Sequence, residues 1–128
     1  MTAAGALHAA LATALAGVAG LNRAEPGASV RVSEPYAMIE PLVASDWGTK
    51  DRAGRELRVG VTVRDLAERA ARLHDLTGAV ETAVAALPVV LSGWRIVSVA
   101  FLRGRTVGEK AGNWAATLEW RVRMLAED

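Results

Sequence analysis

Residues 104–112, GRTVGEKAG, carry the glycine spacing of a loop that could wrap a phosphate. Such a loop needs a closing Gly-Lys-Ser/Thr and a following helix whose first N–H groups face the anion. Here Gly108 is followed by Glu109, Lys110 and Ala111, and the chain runs on into an alternating, strand-like segment. Nucleotide binding is therefore not expected, and no cofactor is assigned. Of the carboxylates Glu34, Glu40, Asp46, Asp51 and Glu56, only Asp46 and Asp51 read as neighbours, at a solvated hairpin tip. A catalytic pair needs a cleft that pushes its two pKa values apart. None of the serines 29, 33, 45, 92 and 98 has a placed histidine partner to make it a nucleophile. His8 and His74 are far apart without ligand spacing, and there is no cysteine, which excludes disulfides and thiolate metal sites. No catalytic, cofactor-binding or metal residue is assigned, and the chain does not read as an enzyme.

What remains is surface chemistry. Arg103, Arg105 and Lys110 cluster around a glycine-punctuated loop at residues 103–113, and Arg121 and Arg123 lie on the polar face of the next strand. A solvated face is the ordinary explanation for such charges. The functional alternative is a positive surface past which DNA moves on sequence-independent phosphate contacts. Trp47 sits in a turn-rich run, DWGTKDRA at residues 46–53. A large aromatic ring is costly to leave in water at a tip, and tryptophan is enriched in binding hot spots, so an interface role is favoured over local packing. The formal net charge of +1 gives no global drive toward nucleic acid or an anionic membrane.

These residues must be positioned by the elements around them. Residues 54–63, GRELRVGVTV, alternate Leu57, Val59, Val61 and Val63 with Glu56, Arg58, Gly60 and Thr62, the period of a half-buried strand. With the extended run at residues 36–44 they read as a long hairpin whose tip is residues 46–53. Pro41 cannot donate to a ladder, so the first strand is an edge or is bulged there. Leu7, Leu11, Ala14, Leu15 and Val18 predict a helix over residues 3–18, with Thr2 as N-cap and Gly20 as its stop. Its other face is mostly alanine, which permits close approach by another subunit. Pro26-Gly27 predicts a turn and residues 30–32 a short strand.

Asp65 and Glu68 have capping-box spacing, so a second helix is predicted from Asp65 to about Ala86, ended by Pro88, with a break or kink near Gly78. Residues 94–103 are apolar on both faces and read as a central strand; residues 114–124 alternate cleanly as the last one, before a frayed tail at 125–128. Residues 6–20 are apolar, but no Lys or Arg precedes Arg23 and the run is short, so neither a secretion signal nor a membrane span is expected. The 128 residues are expected to form one domain. Its fold class is α+β, a mostly antiparallel sheet of four to five strands with two helices packed on one face.

Pro35-Tyr36, then Asp46-Trp47-Gly48-Thr49-Lys50, then Gly54-Arg55-Glu56, in this order around the hairpin, resemble the small tail completion or tail terminator proteins of phages and bacterial gene transfer agents. The order of helices and strands agrees with that family over most of the chain. The resemblance implies a structural protein of the head–tail junction: a ring, typically a hexamer, that caps the tail tube, joins it to the head connector, and lets double-stranded DNA through its channel. It implies a place in the particle after assembly in the bacterial cytoplasm. Its partners would be other copies of itself, the tail tube protein and a stopper or adaptor protein, with no membrane. A ring needs two different patches per subunit. Candidates are the tip, with Asp46, Trp47, Thr49, Lys50 and Arg55, and the loop, with Arg103, Arg105 and Lys110; Arg121 and Arg123 are candidates for the channel wall. The alternatives are a neighbouring connector protein such as a stopper or, in another class, a small cytoplasmic ligand-binding or enzymatic α+β domain.

Overall fold

The computed structural model describes residues 1–24 and 32–127. The predicted turn at Pro26-Gly27, and all but the last residue of the strand predicted at 30–32, lie outside the described residues. The chain begins with helix α1 (Ala3–Ala16), capped by Thr2, whose Oγ1 accepts the Gly5 N–H at 3.0 Å. Leu7, Leu11 and Leu15 form its buried stripe. The helix stops two residues before the predicted end, because the Gly17 N–H closes onto the Ala14 and Leu15 carbonyls. Gly20, with φ of 77°, makes the turn that follows.

Strand β1 (Asn22–Ala24) then pairs in parallel with β2 (Tyr36–Ile39). Both β2 and β3 (Val43–Asp46) pair antiparallel with β4 (Gly54–Leu66), forming the predicted long hairpin. Between the pairs Ile39–Val61 and Val43–Arg58, residues 40–42 stand against 59 and 60, three against two. The bulge falls at Pro41, where the ladder has no N–H to use.

Helix α2 (Ala71–Ala85) follows, then β5 (Val90–Leu91), β6 (Trp94–Gly108) and β7 (Asn113–Ala126). The sheet order is β1-β2-β4-β7-β6-β5, with β3 beside β4. The expected α+β class holds, but the sheet has seven strands instead of four or five, and β1–β2 is parallel. The additional strands are two to four residues long, too short to show a period in sequence. Leu57, Val59, Val61 and Val63 of β4 and Ala116, Leu118, Trp120, Val122 and Met124 of β7 form the apolar face, which packs with α1 and α2 into one core.

Four local expectations are corrected. Asp65 does not cap α2: the β4–β7 ladder runs on to Leu66 opposite Asn113, and α2 starts at Ala71 with no side-chain cap. A ladder of this length outweighs a local capping signal. The helix passes through Gly78 without a break. The loop at 103–113 is mostly strand: β6 continues to Gly108, a single 3-10 turn spans Lys110–Gly112, and β7 begins at Asn113. The tail is not frayed as far as Glu127, since β7 reaches Ala126 and the Glu127 N–H bonds the Gly93 carbonyl at 2.8 Å.

Candidate assembly surfaces

The two helices leave the other sheet face open. The register places Glu56, Arg58, Thr62 and Arg64 of β4 in rows with Arg123, Arg121, Thr117 and Ala115 of β7. Arg103 and Arg105 of β6 continue the rows beyond Glu119 and Thr117. This face is an arginine–glutamate lattice. Glu56 Oε1 accepts from Arg123 Nε at 2.9 Å and lies 3.9 Å from Arg121 Nε, beyond hydrogen-bonding range. Arg103 makes a two-pronged bond to Glu119, at 3.0 and 3.2 Å, which raises the pKa of its guanidinium. Thr62 Oγ1 donates to Glu40 Oε1 at 2.6 Å. Of the candidate channel residues, Arg123 is therefore hydrogen-bonded to Glu56, while Arg121 Nε is buried near the same carboxylate without a hydrogen bond.

The tip residues come together as expected. Asp46 ends β3; its carboxylate accepts the Gly48 N–H at 3.1 Å and lies 3.6 Å from Arg55. The Thr49 N–H bonds the Arg52 carbonyl at 2.8 Å, closing a tight turn around exposed Lys50. Arg55 Nη1 folds back on the Gly54 carbonyl at 2.7 Å. Trp47 is half-buried instead of standing free in water, because the Arg123 guanidinium covers its ring at 5.4 Å from the centroid. That stacking joins the tip to the open face, a contact between distant residues that the sequence does not signal.

Arg103, Arg105 and Lys110 sit elsewhere. Gly54, beside the tip, pairs with Leu125, whereas Leu66 at the other end of β4 pairs with Asn113. Across the sheet Arg103 and Arg105 lie level with Gly60 and Thr62, so at about 3.3 Å per residue they are roughly 20–26 Å along the strands from the tip, and Lys110, beyond Leu66, is roughly 40 Å from it. The turn between β6 and β7 is anchored: the Ala67 N–H bonds the Gly112 carbonyl at 3.0 Å, Trp114 Nε1 donates to the Ala67 carbonyl at 3.1 Å, and Arg64 pairs with Glu109 at 3.3 Å.

The predicted central strand is an edge over most of its length. β5 pairs only with Trp94 and Arg95, so residues 97–108 have β7 on one side and no strand on the other among the described residues. Val97, Phe101, Leu102 and Val107 are exposed along it. Sequence reasoning misses this surface; its only signal is a strand apolar on both faces. A second apolar surface, a groove of about 540 Å³, lies between the alanine face of α1 (Ala6, Ala10, Ala14) and the α2–β5 connection (Ala86, Pro88, Val90), with no ionisable group in its lining.

Among the described residues no three His, Cys, Asp or Glu side chains group to hold a metal. His8 is half-buried and His74 exposed, on different helices. Among the described residues no helix is long and apolar enough to cross a membrane.

No curated protein matches the chain. A solved chain from "Virion of native gene transfer agent (GTA) particle" is similar to it with a TM-score of 0.78 and 28% identity, over 98% of this chain and 100% of that one. The family model described as "Tail completion protein gp17" matches residues 4–125. A match that spans nearly the whole chain, on a fold shared from end to end, places this chain in the tail completion protein family.

Proposed function

We propose that the protein is a tail terminator, a ring of identical subunits, typically six, that closes the tail tube of a long-tailed phage or gene transfer agent. It would join the tube protein to a stopper or adaptor on the head and act without catalysis. The observation that carries this reading is the likeness, over the full length of both chains, to a component of a gene transfer agent virion.

The one-sided sheet supports a direction for the ring: helices outward, open face toward the channel, with Arg121 and Arg123 on its wall. There the two arginines share the one carboxylate of Glu56, so phosphates meet a wall whose positive charge is partly offset. Weak, salt-sensitive contact of this kind suits the passage of double-stranded DNA better than tight binding does.

Native mass spectrometry of the purified protein is expected to give a closed ring of one size, and negative-stain images to show it at the ends of tail tubes. A stable monomer that leaves tube ends bare overturns the proposal.

A further inference from the structure

We propose that the free edge of β6 is where subunits add, and that it takes the β3 edge of a second copy of this chain as an antiparallel neighbour. The proposal rests on the ring reading and names the contact that would close it.

The partner's chemistry follows from the backbone. The Ile96 N–H is the last on β6 to be used on the β5 side, bonding the Val89 carbonyl at 2.7 Å. Beyond it, apart from the irregularities at Val97 and Leu102, alternate N–H and C=O groups of residues 98–108 point away from β7, a template for another strand. Edge strands that stay unpaired are usually short or protected by charge or proline. This one is long and bears Val97, Phe101, Leu102 and Val107 at 49, 47, 37 and 36% exposure. Helix α2 stops short of it, leaving a cleft of about 410 Å³ between Glu81, Thr82 and Ala85 on the helix and Val99, Phe101 and Trp120 on the sheet. A strand added to β6 would direct alternate side chains into this cleft, the combination by which strand addition gains both affinity and specificity.

The occupant follows from the same sheet. β3 is exposed at all four residues, Val43 at 64%, and pairs only with β4 among the described residues. The successive pairs β3–β4, β4–β7 and β7–β6 are all antiparallel, so β3 and β6 run in opposite directions within one chain. Rotation about an axis roughly along the strands preserves direction, so β6 of one copy meets β3 of the next antiparallel, and the same step repeats around a ring. The two edges differ in charge, although the in-chain register sets Asp46 level with Ile96 and not with Arg103 or Arg105. Between residues 96 and 108, β6 carries Arg103 and Arg105 and no acid, while β3 carries Asp46 and no base. The Asp46 side chain is 87% exposed. A two-fold pairing of β6 with β6 centred on Gly104 would set Arg103 against Arg105, and like charges directly opposed are unfavourable.

The absence of native cysteine makes the test clean. Three single variants, Ser45→Cys on β3 and Ala100→Cys and Val107→Cys along the free edge, are treated with a short bis-maleimide, alone and in pairwise mixtures. Covalent dimers are expected only when Ser45→Cys is mixed with one of the β6 variants, and a chain carrying both substitutions should give a ladder of multimers. Dimers of a β6 variant with itself would mean two-fold edge pairing and overturn the proposal. Rings in negative stain without any mixed cross-link would overturn the edge contact and leave the ring reading standing. Neither rings nor cross-links would overturn both.

Discussion

Asp65 and Trp47 carry the clearest consequences of single side chains. The Asp65 side chain is fully buried, accepts the Leu66 N–H at 2.8 Å, and takes both prongs of the Arg72 guanidinium. The bonds from Arg72 hold its pKa below the ordinary 3.8 against the opposing effect of burial, and the Leu66 amide adds to them. A carboxylate with a lowered folded pKa adds its full stability above the unfolded value and loses it as pH falls through the folded one. Asp65→Asn should therefore lower the unfolding free energy by about 2 kcal/mol at neutral pH, and the gap should narrow once the pH drops below 3.8. A gap that stays constant to the lowest pH at which the chain folds would show that the ion pair contributes nothing. Trp47 answers to a different measurement. Losing its contact with Arg123 should cost the isolated chain about 0.5–1 kcal/mol. If it is also a hot spot, Trp47→Ala should weaken the ring by about 2 kcal/mol. A collapse in the melting temperature of the free subunit would instead make Trp47 a purely structural residue.

Glycine behaves differently in each element that holds one. Gly78 lies mid-helix with nothing within 4 Å of where a Cβ would be, so Gly78→Ala should stabilise α2 by up to about 1 kcal/mol in a denaturant titration. Gly108 is opposite Trp114 on β7, and a Cβ there would be 2.8 Å from the indole. That ring is tied to the Ala67 carbonyl and cannot move aside freely, so Gly108→Ala should cost about 1–3 kcal/mol. Gly104 likewise lies beneath Leu118 and Phe101. These two glycines suggest a loop in the sequence, yet they make room for large side chains across a hairpin. Long periodic elements were legible from the residues alone: α1, most of α2, β4 and β7 each repeat one period over many positions. The short strands β1 and β5 were not, because a period cannot show itself in two or three residues. The start of α2 was misplaced because Asp65 offers a local cap, while the partner that keeps it in a strand, on β7, lies far along the chain.

At the scale of the whole molecule, the apolar and polar faces of the sheet were readable from alternation, and the tip was correctly gathered from neighbouring residues. Which surfaces remain open for assembly was not readable, since that depends on how far β5 and α2 reach across the sheet. The arrangement separates folding from assembly. The core closes within one chain, around fully buried Leu7, Leu57, Leu73 and Met124; Trp94, Ile96 and Val99 of β6 pack against it, whereas Val97, Phe101, Leu102 and Val107 of the same strand stay exposed. Leu7→Ala should therefore lower stability by about 3 kcal/mol through the cavity it leaves, and reduce assembly only as far as it depletes folded subunits. Leu102→Glu should do the reverse. Leu102 is an extra residue at the second irregularity of β6 and is 37% exposed, so a carboxylate there can reach water in the free subunit. In a subunit contact the same charge would be buried without a partner, a cost that breaks the contact. Thermal unfolding and analytical ultracentrifugation of the two variants distinguish the cases. Equal loss of melting temperature in both would mean that β6 belongs to the core of the free chain, and intact rings from Leu102→Glu would place the subunit contact away from this edge.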